Sequence, residues 1–167
     1  LGVVEMMVGV DVMSYAHGID GCGAPALSAP LGNWARGFAL FAGGGELPAN
    51  RSAACARIRN GIAWAPRMIA GDRRLCTALA TAFGDRITAK VGAEGVYSCA
   101  FHEFGLGAMV KARDGSTRAA GATIAALIHA LGYDLPADVS SLAMPRLNNW
   151  AGEEVGSITA GAPLMAG

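Results

Sequence analysis

Residues 86–112 read RITAKVGAEGVYSCAFHEFGLGAMVKA, and this stretch decides the fold. Three short segments within it, RITAKV, GVYSCAF and LGAMVKA, are β-branched or alternate in polarity, as strands do. Glycine-rich joints separate the segments, and such joints are typical of tight connections between neighbouring strands. The stretch therefore predicts three adjacent antiparallel strands.

Helical patterns flank the three strands. After the turn signal RDG, Thr117 is expected to cap the helix TRAAGATIAALIHALG, whose apolar residues fall on one face and which Gly132 ends. Upstream, helical segments are expected at 3–10, from 31 to the glycine run at 43–45, from 48 to 64, and from an N-cap at Asp72 to Gly84. The late segment EVGSITA is expected to close the sheet as an edge strand. This order predicts one unit over residues 1–167, of α+β class, with helices packed on an antiparallel sheet.

The composition excludes several classes of function. Hydrophobic residues make up 53% of the chain and charged residues 16%, with 13 basic and 13 acidic side chains. No basic run is present, so nucleic-acid binding is not expected. No run of 18 uncharged apolar residues occurs, so no membrane span is expected. Without a leader-like segment or a disulfide pattern among the cysteines, the chain is expected to be cytoplasmic.

One of the four cysteines stands apart from the others. Cys55, Cys76 and Cys99 lie in apolar patterns typical of a core, whereas Cys22 lies in GIDGCGAPALSAP, residues 18–30, expected to be an irregular loop. Glycines on both sides of Asp20 and Cys22 would permit close approach to a ligand, and an exposed thiolate there could be a nucleophile or a zinc ligand. The alternative is a tight turn with an incidental cysteine, and spacing alone favours this alternative.

A lysine in the first strand is the second candidate. Lys90 lies in AKVGAEGVY, where Gly92 and its small neighbours leave space beside it, and Glu94 offers a counter-charge. Desolvation would make its ammonium easier to deprotonate, which is useful beside a hydroxyl nucleophile. The alternative is an edge-strand lysine with its head in water, which is the more common situation.

Four segments together resemble a known family. GIDGCGAP, AKVGAEGVY, GLGAMVKARDGSTRA and LNNWAGEEVG occur in the order found in the C-terminal half of class 3, asparaginase II type, L-asparaginases. The resemblance implies a serine-β-lactamase-like fold, a homodimer, and hydrolysis of L-asparagine to L-aspartate and ammonia. It also implies one zinc ion, with Cys22 as a ligand and Asp20 at the site. Lys90 would assist the nucleophile, and Gly92 and Glu94 would lie beside the substrate.

The chain departs from the family pattern at Val91, which replaces a threonine often seen between the lysine and the glycine, and in two missing motifs. None of its serines is followed three residues later by lysine, so the Ser-x-x-Lys nucleophile of the family is not found, nor is its Cys-Ser-Gly-Lys-His segment. Cys22 alone cannot complete a zinc shell of about four ligands. We therefore expect the chain to carry part of a site and to pair with an N-terminal half or with a second copy. Two alternatives stay open, a non-catalytic remnant or assembly module of the same fold and a thiol amidohydrolase that uses Cys22.

Overall fold

A three-stranded antiparallel sheet lies at the centre of the molecule, as the sequence predicted. The structure, a computed structural model, describes residues 1–161. Strands β3 (Ile87–Val91), β4 (Val96–Phe101) and β5 (Leu106–Lys111) lie in the order β3-β4-β5, so β3 forms one edge. Ile87 lies opposite Phe101, and Val96 lies opposite Lys111.

Helices cover both faces of this sheet. The described helices are α1 (Gly2–Val8), α2 (Leu31–Ala42), α3 (Ala49–Trp64), α4 (Leu75–Phe83), α5 (Thr117–Ala130) and α6 (Ala137–Ala143). The remaining strands are β1 (His17–Ile19), β2 (Pro25–Leu27), β6 (Arg146–Asn148) and β7 (Glu154–Ser157), which form two separate hairpins. Helices packed on an antiparallel sheet confirm the α+β class.

The period-2 alternation of the strands divides the side chains between two layers. One face carries buried residues such as Ile87, Cys99 and Phe101, which pack with α4, α5 and α6 in the main core. The other face carries Gly107, where the backbone of α2 approaches so closely that a Cβ would overlap the Ala35 carbonyl group. Side chains of alternate residues in β3 therefore enter different environments.

One buried contact joins α4 to the edge strand. The thiol of Cys76 lies 3.1 Å from the hydroxyl of Tyr97 and accepts the backbone N–H of Val91 at 3.2 Å. Both Cys76 and Tyr97 are almost fully buried. The cysteine predicted as a simple core residue thus also satisfies a polar group at the free edge of β3.

Three of the predicted boundaries were wrong. The segment 18–30 is not wholly irregular, because β1 and β2 pair as a hairpin whose turn needs Gly23 at φ 80°. Helix α4 begins at Leu75 rather than after an Asp72 cap, because Arg73 has a left-handed backbone with φ 51° that a right-handed helix cannot include. Ser116, not Thr117, occupies the N-cap position of α5.

The predicted closing strand does form, but elsewhere. Glu154–Ser157 pairs with Arg146–Asn148 instead of extending the central sheet. An ion pair between Arg146 and Glu154, with N···O 2.5 Å, spans this hairpin. Nothing between residues 1 and 161 forms a helix both long enough and apolar enough to cross a bilayer.

Candidate functional site

The turn of the β1–β2 hairpin carries the first two candidate residues. Asp20 accepts the N–H of Gly21 through Oδ1 at 2.7 Å, while its Oδ2 lies 3.8 Å from the Cys22 sulfur. The Asp20 backbone N–H donates to the Ala24 carbonyl at 2.8 Å and closes the turn. The glycines fold the loop tightly, as expected, but both side chains are exposed and do not face an enclosed cavity.

Lys90 lies on the open edge of the central sheet. Its side chain is exposed, and Nζ donates to the carbonyl of Val91 at 2.8 Å. The sequence suggested a desolvated lysine at this position. The structure instead has an exposed one, because β3 has no neighbouring strand on that side. Ser98 lies opposite Lys90 but is buried, and its hydroxyl donates to the Lys90 carbonyl at 3.0 Å, so it is not a free nucleophile.

The connection from β3 to β4 holds Gly92 and Glu94. The N–H of Gly92 donates to the Val96 carbonyl at 2.8 Å, and Glu94 adopts a left-handed backbone with φ 54°. Glu94 forms no ion pair with Lys90, so the expected counter-charge is not found. Instead, Lys111 donates to the Glu94 carbonyl at 2.6 Å and fastens the turn.

Sequence reasoning missed a polar pair beside Lys90. The hydroxyl of Thr88, two residues before Lys90 on the same strand face, lies 3.1 Å from Nε2 of His102. The other ring nitrogen of His102 contacts the Asp85 carbonyl, which assigns the proton to Nδ1 and makes Nε2 the acceptor. Burial lowers the pKa of His102, the Asp85 carbonyl opposes this shift, and the charge of Arg59 adds to it. Period-2 spacing from Lys90 could have indicated Thr88, whereas His102 required the strand register.

A cleft of about 390 Å³ opens on this face of β3. Apolar side chains of α1, α2 and α3 form most of its wall, and Thr88 and Lys90 contribute the strand side. Within residues 1–161, the accessible surface of the cleft is apolar throughout, so Thr88 and Lys90 line it with carbon atoms and no polar group faces its interior. The cleft is therefore an apolar pocket beside the candidate lysine, suited to an apolar group of a ligand.

The structure does not bring all the candidate residues together in one site. Between residues 1 and 161, no hydrogen bond or ion pair joins the turn of Asp20 and Cys22 to β3 or its following turn. Across the same residues, no group of three or more His, Cys, Asp or Glu side chains could hold a metal ion. The donors present here do not by themselves fit a zinc ion, which needs at least three protein ligands.

Comparison with known proteins decides the family. A family model described as L-asparaginase II matches residues 1–160. The chain belongs to the L-asparaginase II family. No curated protein matched the chain. In this member of the L-asparaginase II family, the matched region includes the β1–β2 turn, the edge strand with Lys90 and the cleft beside it.

Proposed function

We propose that this chain contributes to an asparaginase-type amidohydrolase that converts L-asparagine and water to L-aspartate and ammonia. The observation that carries the proposal is the family match over residues 1–160, together with a lysine at the rim of a cleft. In such a reaction a nucleophilic hydroxyl attacks the side-chain amide carbon, ammonia leaves, and water releases aspartate. The proposal assigns L-asparagine to the exposed ammonium of Lys90 at the open edge of β3, because the cleft itself, in the part of the chain that the structure describes, offers a charged amino acid no polar partner.

The chain's own residues would act mainly through charge and position. Lys90 presents an ammonium on a hydrogen-bonded strand, so its position is fixed while its charge stays accessible. An ammonium placed there would favour loss of the nucleophile's proton and would stabilise negative charge on the substrate. Gly92 leaves backbone accessible next to it, and Glu94 could bind the substrate amine. Asp20 would take part only if the β1–β2 turn approaches this region in the assembled protein.

This sequence contains no Ser-x-x-Lys motif. The proposal therefore places the nucleophile in residues outside this chain. Ser98, the serine opposite Lys90, is buried and its hydroxyl is engaged with a backbone carbonyl. We therefore infer that an N-terminal half with a serine-β-lactamase-like arrangement completes the site. Residues 1–167 would then form the C-terminal portion of that domain. In that inference a zinc ion takes Cys22 as one ligand, and its other ligands lie outside residues 1–161.

A non-catalytic role is the second candidate. The separation of the Asp20–Cys22 turn from Lys90 favours a non-catalytic role for the isolated chain, because no complete catalytic group is assembled between residues 1 and 161.

The surroundings of Cys22 give less support to a thiol mechanism. Between residues 1 and 161, the hydrogen-bond partner of the Cys22 thiol is the Asp20 carboxylate at 3.8 Å, and the Nδ1 of His17 is engaged with the Tyr15 carbonyl.

Exposed apolar side chains support an association with another polypeptide. Ile58, Trp64 and Met68 are 53%, 88% and 87% exposed along α3 and the turn that follows it. Large exposed apolar side chains such as Trp64 and Met68 are common at interfaces, although Ile58 lies on a different face of α3 from Trp64. Dimer formation and a cytoplasmic location both stay predictions, and sedimentation of the chain at several concentrations tests the first.

The activity test measures ammonia release from L-asparagine by the 167-residue chain, alone and mixed with the N-terminal half of a family member. We expect no release by the chain alone and release by the mixture, reduced at least tenfold by Lys90→Gln. The matched control is Arg113→Gln, which removes one exposed positive charge from a turn. Absence of activity in every mixture, or equal activity of the two variants, would contradict the proposal and favour the non-catalytic role.

A further inference from the structure

A second cavity, also of about 390 Å³, lies between the N-terminal ends of α4 and α5 and the C-terminal end of α6. Val91 contributes to its wall, whereas Lys90 contributes to the cleft described above. Neighbouring residues of a strand point to opposite faces, so the two cavities lie on different sides of β3. The second cavity is thus separate from the proposed asparagine site.

The charged lining of this second cavity is entirely positive. Arg73, Arg74 and Arg118 line it, and no aspartate or glutamate does. Across residues 1–161, none of the three forms an ion pair or a side-chain hydrogen bond. Other arginines of the chain do have partners, as Arg67 has in Asp72. All three side chains are exposed, so water screens their mutual repulsion, and what they offer an anion is positive charge and unpaired hydrogen-bond donors at the same cavity.

The backbone adds donors to the same cavity. Helices α4, with nine residues, and α5, with fourteen, begin here, and neither has a side-chain hydrogen bond at its N-cap. Within the described range 1–161, Asp114 accepts from the Ser116 N–H, which precedes the first turn of α5. The first-turn N–H groups of both helices are thus available, and the helix dipoles favour negative charge at these ends.

Two more features describe the wall of this cavity. Arg73 adopts a left-handed backbone with φ 51°, which is uncommon for a residue other than glycine and is costly unless the surroundings require it. Tyr97, which is 2% exposed, reaches the cavity wall, and burial raises the pKa of its hydroxyl, as does the neighbouring Cys76. A tyrosine hydroxyl is already neutral at pH 7, so the raised pKa matters only under alkaline conditions.

We propose that this cavity binds a small, doubly charged oxyanion, either a phosphate group or a dicarboxylate, between Arg73, Arg74 and Arg118. Guanidinium groups bind both kinds of oxyanion in a bidentate manner. The apolar part of the wall, which includes Leu75, Leu142 and Pro145, leaves room for a short carbon body attached to the anion. The proposal concerns binding and does not depend on the catalytic function of Lys90.

The test measures thermal unfolding of the full chain in increasing inorganic phosphate, and separately in succinate, with chloride at matched ionic strength as reference. A ligand that binds only the folded state raises the Tm in a saturable manner. We expect saturable stabilisation by at least one of the two anions. The effective anion identifies the source, phosphate for a phosphate-bearing ligand and succinate for a dicarboxylate.

Variants connect the effect to the cavity. Arg74→Gln and Arg118→Gln should each weaken the apparent affinity at least tenfold, whereas Arg113→Gln, which is exposed outside the cavity, should leave it unchanged. If Arg74→Gln does not fold, the anion affinity of Arg118→Gln, on the exposed side of α5, tests the proposal by itself. No saturable effect of either anion, or equal affinity of Arg118→Gln and Arg113→Gln, would overturn the proposal.

Discussion

Gly107 in β5 lies directly beneath Ala35 in α2, with no space for a side chain between them. A Cβ at Gly107 would overlap the carbonyl oxygen of Ala35 and the backbone nitrogen of Ala39. Backbone atoms of a helix cannot rotate away as a flexible side chain can. Helix α2 therefore rests on the sheet only because residue 107 is glycine, and α2 in turn forms part of the cleft beside Lys90.

The first prediction follows from this contact. Gly107→Ala should force α2 away from the sheet and lower the free energy of unfolding by roughly 1–3 kcal/mol or more, as overpacking does. The control is Gly32→Ala, at an exposed position of α2 with open space around it. That control should change the free energy of unfolding by less than about 1 kcal/mol, and in the stabilising direction, because alanine is a better helix former than glycine. Urea unfolding measures both, and equal stability of the two variants would show that α2 is not seated as described.

The second prediction concerns the buried hydroxyl of Tyr97. Tyr97→Phe removes its contact with the Cys76 sulfur, at 3.1 Å, and should lower the free energy of unfolding by about 0.5–1.5 kcal/mol. Tyr15→Phe is the matched control, because Tyr15 is 38% exposed and makes no side-chain hydrogen bond in the described part of the chain. Chemical denaturation that gives the same change for both variants would count against the contact.

The third prediction concerns the pH dependence of stability. The pKa of His102 is lower in the folded state than its ordinary value near 6.5, chiefly through burial. The unfolded chain therefore binds a proton at this residue before the folded chain does. Its contribution to stability is complete above about pH 6.5 and is lost as the pH falls through the lower folded value.

The measurement is urea unfolding of the chain at pH 7.5 and at pH 5. His102→Gln should reduce the pH-dependent loss of stability, whereas His129→Gln, at an exposed position near the end of α5, should not. A direct NMR titration of the His102 ring should give a midpoint below that of a model histidine. An unshifted or raised midpoint would refute the assignment.

The fourth prediction concerns the thiols. Cys22 is exposed and the other three cysteines are buried, so iodoacetamide should modify one thiol rapidly in the folded chain. Cys22→Ser should abolish the rapid phase, and Cys55→Ser should preserve it. Zinc added to the chain alone should not slow the reaction, since the residues from 1 to 161 include no group of three ligands. Protection by zinc would instead indicate that the chain completes a metal site by itself.

The central sheet was predictable because each strand is five or six residues long, enough for its alternation and bounding glycines to be visible. The β1–β2 hairpin was not, since three-residue strands show no period and its pairing depends on the turn hydrogen bonds of Asp20. The start of α4 was misplaced because Arg73 takes a left-handed backbone between Asp72 and the helix, which the residue types alone do not indicate.

The candidate site was predictable in identity but not in environment. The sequence indicated Lys90, yet its exposure depends on which strand lies at the edge of the sheet, and that is a property of the sheet order. The Thr88–His102 hydrogen bond joins residues 14 positions apart and required the register of β3 against β4. Arg118 of the second cavity is likewise distant along the chain from the adjacent pair Arg73 and Arg74, and it joins them through the packing of α4 and α5.

An unpaired strand edge is a hazard for a protein, because its free N–H and C=O groups can recruit a strand from another molecule and start aggregation. The edge strand β3 is partly closed to such recruitment by a thiol. The N–H of Val91 is already donated to Cys76, which belongs to α4 and cannot move away without opening the core. A strand from another molecule could not accept a hydrogen bond from the N–H of Val91, the residue next to Lys90. This edge can therefore stay open to a small molecule while resisting the addition of further strands.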